Sequence, residues 1–177
     1  MVQILLPGTP IVYYGEEISM DDVLISGGTP GLCSMSSLSP TFNCNQARSP
    51  FQWDVSSNNA GFTNATAPWH PVGNNLQDIN AKTQMGLSES HLNLYRNLVE
   101  LRKQPAIMHG DIYFPEKDVT DVFYFTRIRK GSPGYLIMCN LSKGDLIVDL
   151  SADASLPTEA QAVLRSVGSN STMTAKG

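Results

Sequence analysis

Charge is what this sequence has least of: Asp, Glu, Lys and Arg make up 16% of its 177 residues, against about 25% in an average soluble protein. A basic excess is lacking as well. With 12 Lys+Arg against 16 Asp+Glu the formal net charge is -4 and the pI is near 5.2, so there is no electrostatic footprint for nucleic acid or an anionic membrane. Long apolar runs are missing too. The stretch from Met1 to Tyr14 is broken by Gln3, Pro7, Gly8, Thr9 and Pro10, and can neither span a bilayer nor act as a signal peptide. If the chain works outside the cell, an upstream segment is expected to have brought it there. What fills the space left by charge is Ser, Asn, Gly and Pro, a surface polar through hydroxyls and amides that suits a secreted or lumenal protein.

Cysteine is scarce. Cys33, Cys44 and Cys139 show no CxxC spacing and have no histidine pair nearby, and His70, His91 and His109 share no ligand spacing, so no metal site and no cofactor are expected. Cys33 and Cys44 bracket a Ser- and Pro-rich loop with no core of its own. A disulfide closing about a dozen residues there contributes on the order of 3 kcal/mol, and that bridge is expected. Cys139 lies in the apolar run Tyr135-Leu-Ile-Met-Cys139 and reads as a buried free thiol in a strand. Three Asn-x-Ser/Thr triplets, at Asn64, Asn140 and Asn170, are candidate glycosylation sites and point to the secretory route.

Along the chain, Ile11-Val-Tyr-Tyr14 is a short β-branched and aromatic run set between Pro7-Gly-Thr-Pro10 and Gly15, the punctuation of a single buried strand. Tyr13 and Tyr14 would then face opposite sides of it. Such a strand has no sheet partner in this sequence. Residues 26 to 46 and 56 to 80 carry no period of 2 or 3.6 and read as long loops, the second held by Trp69 and Pro71. Ser88 to Gln104 is the clear helix: Leu87, Leu94, Leu98 and Leu101 recur at steps of four and three, Ser88 is placed to cap it, Leu87 and Leu92 to staple it, and Pro105 to end it. Arg102 and Lys103 suit its negative end. From Asp111 the pattern turns to β, with candidate strands at 111–114, 122–128, 134–140, 145–150 and 162–167, and the regular spacing predicts an antiparallel sandwich.

Four motifs then stand in order: Gly8-Thr-Pro-Ile-Val-Tyr-Tyr-Gly-Glu-Glu-Ile18, Arg48-Ser-Pro-Phe-Gln-Trp-Asp54, Asn59-Ala-Gly-Phe62 and Trp69-His-Pro-Val72. Together they resemble the end of the α-amylase superfamily, glycoside hydrolase family 13, and within it the animal maltases (α-glucosidases) and their non-catalytic relatives, the heavy chains of amino-acid transporters. The resemblance implies an α/β plus all-β fold. Residues 1–106 would be the C-terminal end of a TIM (β/α)8 barrel, its last strand, loop and helix, and residues 107–177 a C-terminal antiparallel β-sandwich that stops short of completion.

The same resemblance implies a retaining α-glucosidase acting on terminal α-1,4-linked glucose of an α-glucoside or maltooligosaccharide, located outside the cell or on the outer face of a membrane. Its alternative is a transporter heavy chain that is tethered in the membrane and holds a light chain. Retaining hydrolysis needs two carboxylates about 5 Å apart, and barrel enzymes draw such groups from several strand ends. The family's acids sit on earlier barrel strands, so no catalytic residue is expected in this chain and it should be inactive alone. Glu16, Glu17, Asp21, Asp22 and Asp54 are read as structural, the Glu16-Glu17 pair capping a short helix over 18–23. Arg48 is read as a substrate-binding residue at the mouth of the sugar site, with a loop-stapling salt bridge as its other reading. Trp53 and Phe51 are expected to pack the loop.

Overall fold

Helical spacing of leucines demands a helix with one apolar face, and the computed structural model contains it as the longest element of the chain. The structure describes residues 2–23, 46–56, 59–114, 119–150, 153, 156–157 and 159–172. In chain order the elements are α1 (Val2–Leu5), α2 (Ala81–Met85), α3 (His91–Arg102), α4 (Pro105–His109), β1 (Asp111–Tyr113), β2 (Val122–Ile128) and β3 (Tyr135–Asn140). Single 3₁₀ turns occupy Glu16–Ile18, Gln46–Arg48 and Asn59–Gly61. Two compact units result: Met1–Ile11 with Leu94–Gly177, and Val12–Asn93. Among the described residues no helix is long and apolar enough to cross a membrane.

The helix starts later than its sequence suggested. Ser90, not Ser88, is the cap: its buried hydroxyl oxygen accepts from the Asn93 N–H at 3.2 Å, while Leu87 lies half-exposed outside the helix and staples nothing. Leu92, Leu94 and Leu98 are the buried stripe. Pro105 does more than stop this helix; it opens α4, a position where its missing N–H costs nothing.

In the first unit Ile4, Leu5, Leu94, Leu98, Ile107 and Phe125 form the core. The sheet has the order β1-β2-β3, antiparallel throughout, with Ile112 opposite Arg127 and Arg127 opposite Tyr135. Alternation along β2 puts Phe123, Phe125 and Arg127 on one face, so a guanidinium occupies a core position. Arg127 is 1% exposed. Its Nη2 donates to Ile107 O at 2.6 Å and Gly110 O at 2.9 Å, and its Nη1 to Leu5 O at 3.4 Å; Nε is left unpartnered. Two of these acceptors belong to the carboxyl end of α4, where carbonyls have no partner within the helix. Burial lowers the affinity of Arg127 for its proton, with repulsion from Arg102 adding to the effect and Asp111 opposing it. Arg102 itself does not serve the end of α3. It reaches the carbonyls of Ile4, Leu6 and Gly8, and so terminates α1. Lys103 pairs instead with Glu100 at 2.7 Å on the surface.

Several expected strands are absent. Residues 11–14 are not a strand: Ile11 is 87% exposed, and the rings of Tyr13 and Tyr14 lie together with centroids 4.6 Å apart. An extended segment becomes a strand only when a neighbouring strand takes up its N–H and C=O groups; here Ile11 O accepts from the Gln3 side chain and Tyr13 O from the Glu16 N–H, and among the described residues no strand pairs with it. Residues 145–150 and 162–167 have strand-like sequences but no ladder, and Ile147 is fully exposed. Where a sandwich was expected, the described residues form one three-stranded antiparallel sheet. Cys139 is a free, half-buried thiol in β3. Cys33 and Cys44, and the bridge expected between them, lie outside the described residues.

On the opposite face of β2, Tyr124 is buried and its hydroxyl bonds to Asp153. Burial first, and then the Asp153 charge, push its pKa above 10.0. A group whose folded pKa is raised favours folding fully below its unfolded value and loses that contribution as pH climbs through the folded one. The chain should therefore lose stability above pH ~10, and Tyr124→Phe should reduce that alkaline loss in thermal melts between neutral and high pH.

Candidate functional site

The second unit is built where the first two motifs meet. Tyr14 closes the apolar run and Gly15 turns the chain with φ 94; a Cβ there would come within 2.9 Å of Met20 Sδ, so both the conformation and the space call for glycine. The turn then runs Glu16–Ile18 as one 3₁₀ turn and stops at Ser19, itself left-handed at φ 59, so the helix expected over 18–23 does not form. Ile18 is fully buried and packs with Phe51, Ala81 and Leu92.

Polar side chains hold this unit together to an unusual degree. Gln84, 4% exposed, donates from Nε2 to Ile18 O at 2.8 Å and accepts the Leu92 N–H at 2.9 Å on Oε1, joining the exit of the first motif to the start of α3. Gln52, 1% exposed, donates to Ile79 O and to Asn75 Oδ1. The backbone beside it pairs with the start of α2, through Ala81 N to Gln52 O and Lys82 N to Trp53 O, both 2.9 Å. Asn80, wholly buried, caps α2 by accepting the Thr83 N–H at 2.8 Å and donates to Leu76 O. Gln84 and Asn80 are each satisfied at both ends and Gln52 gives two bonds from its Nε2, the condition under which buried amides stabilise a fold rather than strain it. Sequence reasoning passed over all three, because Gln and Asn in a segment without periodicity read as surface loop.

Tyr14 ties the motifs directly: its hydroxyl donates to Ser49 O at 3.1 Å. Burial raises its pKa, the bond to Tyr13 adds to the rise, and the positive charge of Arg48 opposes it. Arg48 ends its 3₁₀ turn exposed and makes no ion pair among the described residues, so the stapling salt bridge is not found there. Phe51 is buried, but Trp53 packs on it at 4.5 Å with half its surface in solvent. Trp69, read from sequence as a loop anchor, is 89% exposed and, among the described residues, stacks on His70.

The acids are occupied with local structure. Glu17 accepts the Gly15 N–H at 2.8 Å, Asp21 accepts from Asn75 Nδ2 at 2.6 Å, and Asp54 accepts the Ser56 N–H at 2.9 Å. The bonds from Ser56 hold the Asp54 carboxyl below its ordinary pKa. A carboxyl lowered in this way is the opposite of the raised one that a general acid requires. Among the described residues no cluster of His, Cys, Asp or Glu could hold a metal ion. Asn64, Asn140 and Asn170 are all exposed; Asn140 Oδ1 also accepts the Ser142 N–H at 2.9 Å.

Comparison with known proteins bears on this arrangement. The profile of the alpha amylase catalytic domain matches residues 1–110. Maltase A1 of Drosophila melanogaster is 36% identical over 168 residues, covering 93% of this chain and 29% of its own length. An amino acid transporter heavy chain of Rattus norvegicus is 31% identical over 163 residues, 90% of this chain and 22% of its own. Among solved structures, the trehalulose synthase MutB of Pseudomonas mesoacidophila superposes with a TM-score of 0.65 at 29% identity, over 79% of this chain and 28% of that one. The chain thus spans less than a third of the length of each of these relatives.

Proposed function

The chain belongs to the alpha-amylase family, a family of glycoside hydrolases whose catalytic domain is a TIM barrel, and from that premise we infer that it is part of a retaining α-glucosidase, a maltase acting on terminal α-1,4-linked glucose. The bond from Tyr14 to Ser49 O supports this most, because it holds the first two motifs together beside an exposed Arg48 that makes no ion pair among the described residues. A planar guanidinium placed so is suited to gripping sugar hydroxyls. Arg48 is accordingly the substrate-binding residue, and the substrate is an α-glucoside or maltooligosaccharide. The nucleophile and the general acid come from other barrel strands, a reading supported by the local bonds that hold Glu17, Asp21 and Asp54, and this chain alone is inactive.

In this reading residues 1–106 are the end of the barrel and 107–177 a separate C-terminal β domain, a division supported by a family match that ends at residue 110. The protein is secreted or faces outward from a membrane, carries glycans at Asn64, Asn140 and Asn170, and joins Cys33 to Cys44. The exposure of the three asparagines supports the glycans. A second reading, supported by the heavy-chain relative, is that the chain comes from the ectodomain of a transporter subunit bound to a light chain.

The test is turnover of an aryl α-glucoside. The purified chain is expected to give none above a blank, and the complete protein to hydrolyse it with retention at the anomeric carbon. In the complete protein Arg48→Ala should lower kcat/KM about tenfold with the melting temperature unchanged, as a lost charged hydrogen bond on a pocket rim would. Turnover by the chain alone overturns its assigned inactivity. A complete protein without turnover supports the heavy-chain reading, and a melting temperature lowered with kcat/KM intact makes Arg48 structural.

A further inference from the structure

Beside the motif junction, within the second unit, lies an open groove of about 660 Å³ whose walls include Val55, Asn59, Pro68, Trp69, Leu76 and Gln77. Among the described residues no ionisable side chain lines it. Part of its wall is held in an uncommon backbone conformation: Asn59, Ala60 and Gly61 follow one another with φ of 50°, 59° and 70°. Two consecutive left-handed residues that are not glycine cost energy, and surrounding bonds must keep them so. Ala60 O accepts the N–H groups of both Trp53 and Asp54, and Asn59 Nδ2 donates to Thr63 O and Ala65 O.

We propose that this groove binds a glucosyl unit of an α-glucan chain, with the Trp69 indole as its stacking platform. The proposal rests on the glucosidase reading for the identity of the sugar; the groove's own chemistry supports the class. An uncharged lining gives an anion or cation nothing to bind, and so selects a neutral ligand. One side of Trp69 is taken by His70, and most of the ring is open to solvent. The Trp69 indole N–H, the Gln77 amide and Asn59 Oδ1 make no hydrogen bond among the described residues, which leaves donors and an acceptor beside apolar surface. A pyranose ring offers the matching parts, a C–H face for the indole and an equatorial ring of hydroxyls for the amides. The strained turn sets Asn59 in place before any ligand arrives, which lowers the ordering cost of binding.

The experiment titrates the ¹⁵N-labelled 177-residue chain with maltotriose and follows the two tryptophan indole N–H signals, those of Trp53 and Trp69. Trp69 should shift saturably in the millimolar range while Trp53 stays still. Trp69→Ala should weaken binding, read on the Gln77 side-chain amide, by roughly tenfold, and Gln77→Leu by less. A Trp69 signal that does not respond, that sits at the random-coil position, or that shifts when protein concentration alone is raised, overturns the proposal; the last would mean a second copy covers the groove. Binding without turnover by the complete protein would sustain the groove and remove the hydrolase, and turnover without binding would do the reverse.

Discussion

Gly110→Ala is expected to destabilise the first unit by about 3 kcal/mol or more, the largest effect of any single methyl added to the described residues. Gly110 has ordinary dihedrals, φ -80 and ψ 161, so the reason is space rather than conformation. A Cβ built on it would press into the carbonyl of Ala106 and lie 2.7 Å from Ile128 O. Neither obstacle can give way alone. Ala106 O accepts the Gly110 N–H that closes α4, and Ile128 stands opposite Asp111 in the first pair of the β1–β2 ladder. Relief therefore means separating α4 from the sheet. Amide exchange should report it as lost protection over Asp111–Tyr113 and Val122–Ile128, with the melting temperature down by about 6–12 °C. Unchanged protection in β2 would show that the helix end yields more readily than its bonding suggests.

Arg127→Met should come close behind, at about 3 kcal/mol. Two effects oppose each other. Removing the guanidinium recovers the cost of keeping a charge 1% exposed with no carboxylate bonded to it among the described residues, and methionine of similar length fills much of the space. Against this, the carbonyls of Leu5, Ile107 and Gly110 lose their shared donor, and charged hydrogen bonds are worth roughly 1.5–3 kcal/mol each. Loss of the donors wins because three acceptors depend on one group and the bonds to Leu5 O and Ile107 O are buried. Arg127→Lys should rescue only part, since one ammonium cannot span acceptors on two helices as a planar fork does. Equal melting temperatures for the Met variant and the parent would mean that desolvation offsets the bonds.

Local pattern was enough to find α3, β1, β2 and β3, because each is set by side-chain period: leucines at three and four, aromatics and β-branched residues at two. It was enough as well for the family, since the run from Gly8 to Ile18 and the run from Arg48 to Asp54 are contiguous and specific. The limits are just as physical. The run from Ile11 to Tyr14 has every local mark of a strand, yet strand formation is a property of a pair, and the partner is not written in these residues. The same holds for 145–150, where alternation exists without a ladder. Ser88 and Ser90 are equivalent as caps until packing places Leu92 and fixes where the helix begins.

Tertiary structure alone decided the polar interior. Nothing in Gln52, Asn80 or Gln84 as residue types distinguishes them from exposed amides; they are buried because backbone groups far away in sequence, such as Ile18 O, need partners there. Arg127 came nearer to being legible, since it follows Phe123 and Phe125 on one strand face, but which carbonyls it would serve depended on where α1 and α4 end. Arg48 was singled out from its motif; that it makes no ion pair among the described residues could be read only in three dimensions. Period and motif are carried by neighbours in the chain, whereas satisfaction of buried donors and acceptors is carried by neighbours in space, and only folding brings those together.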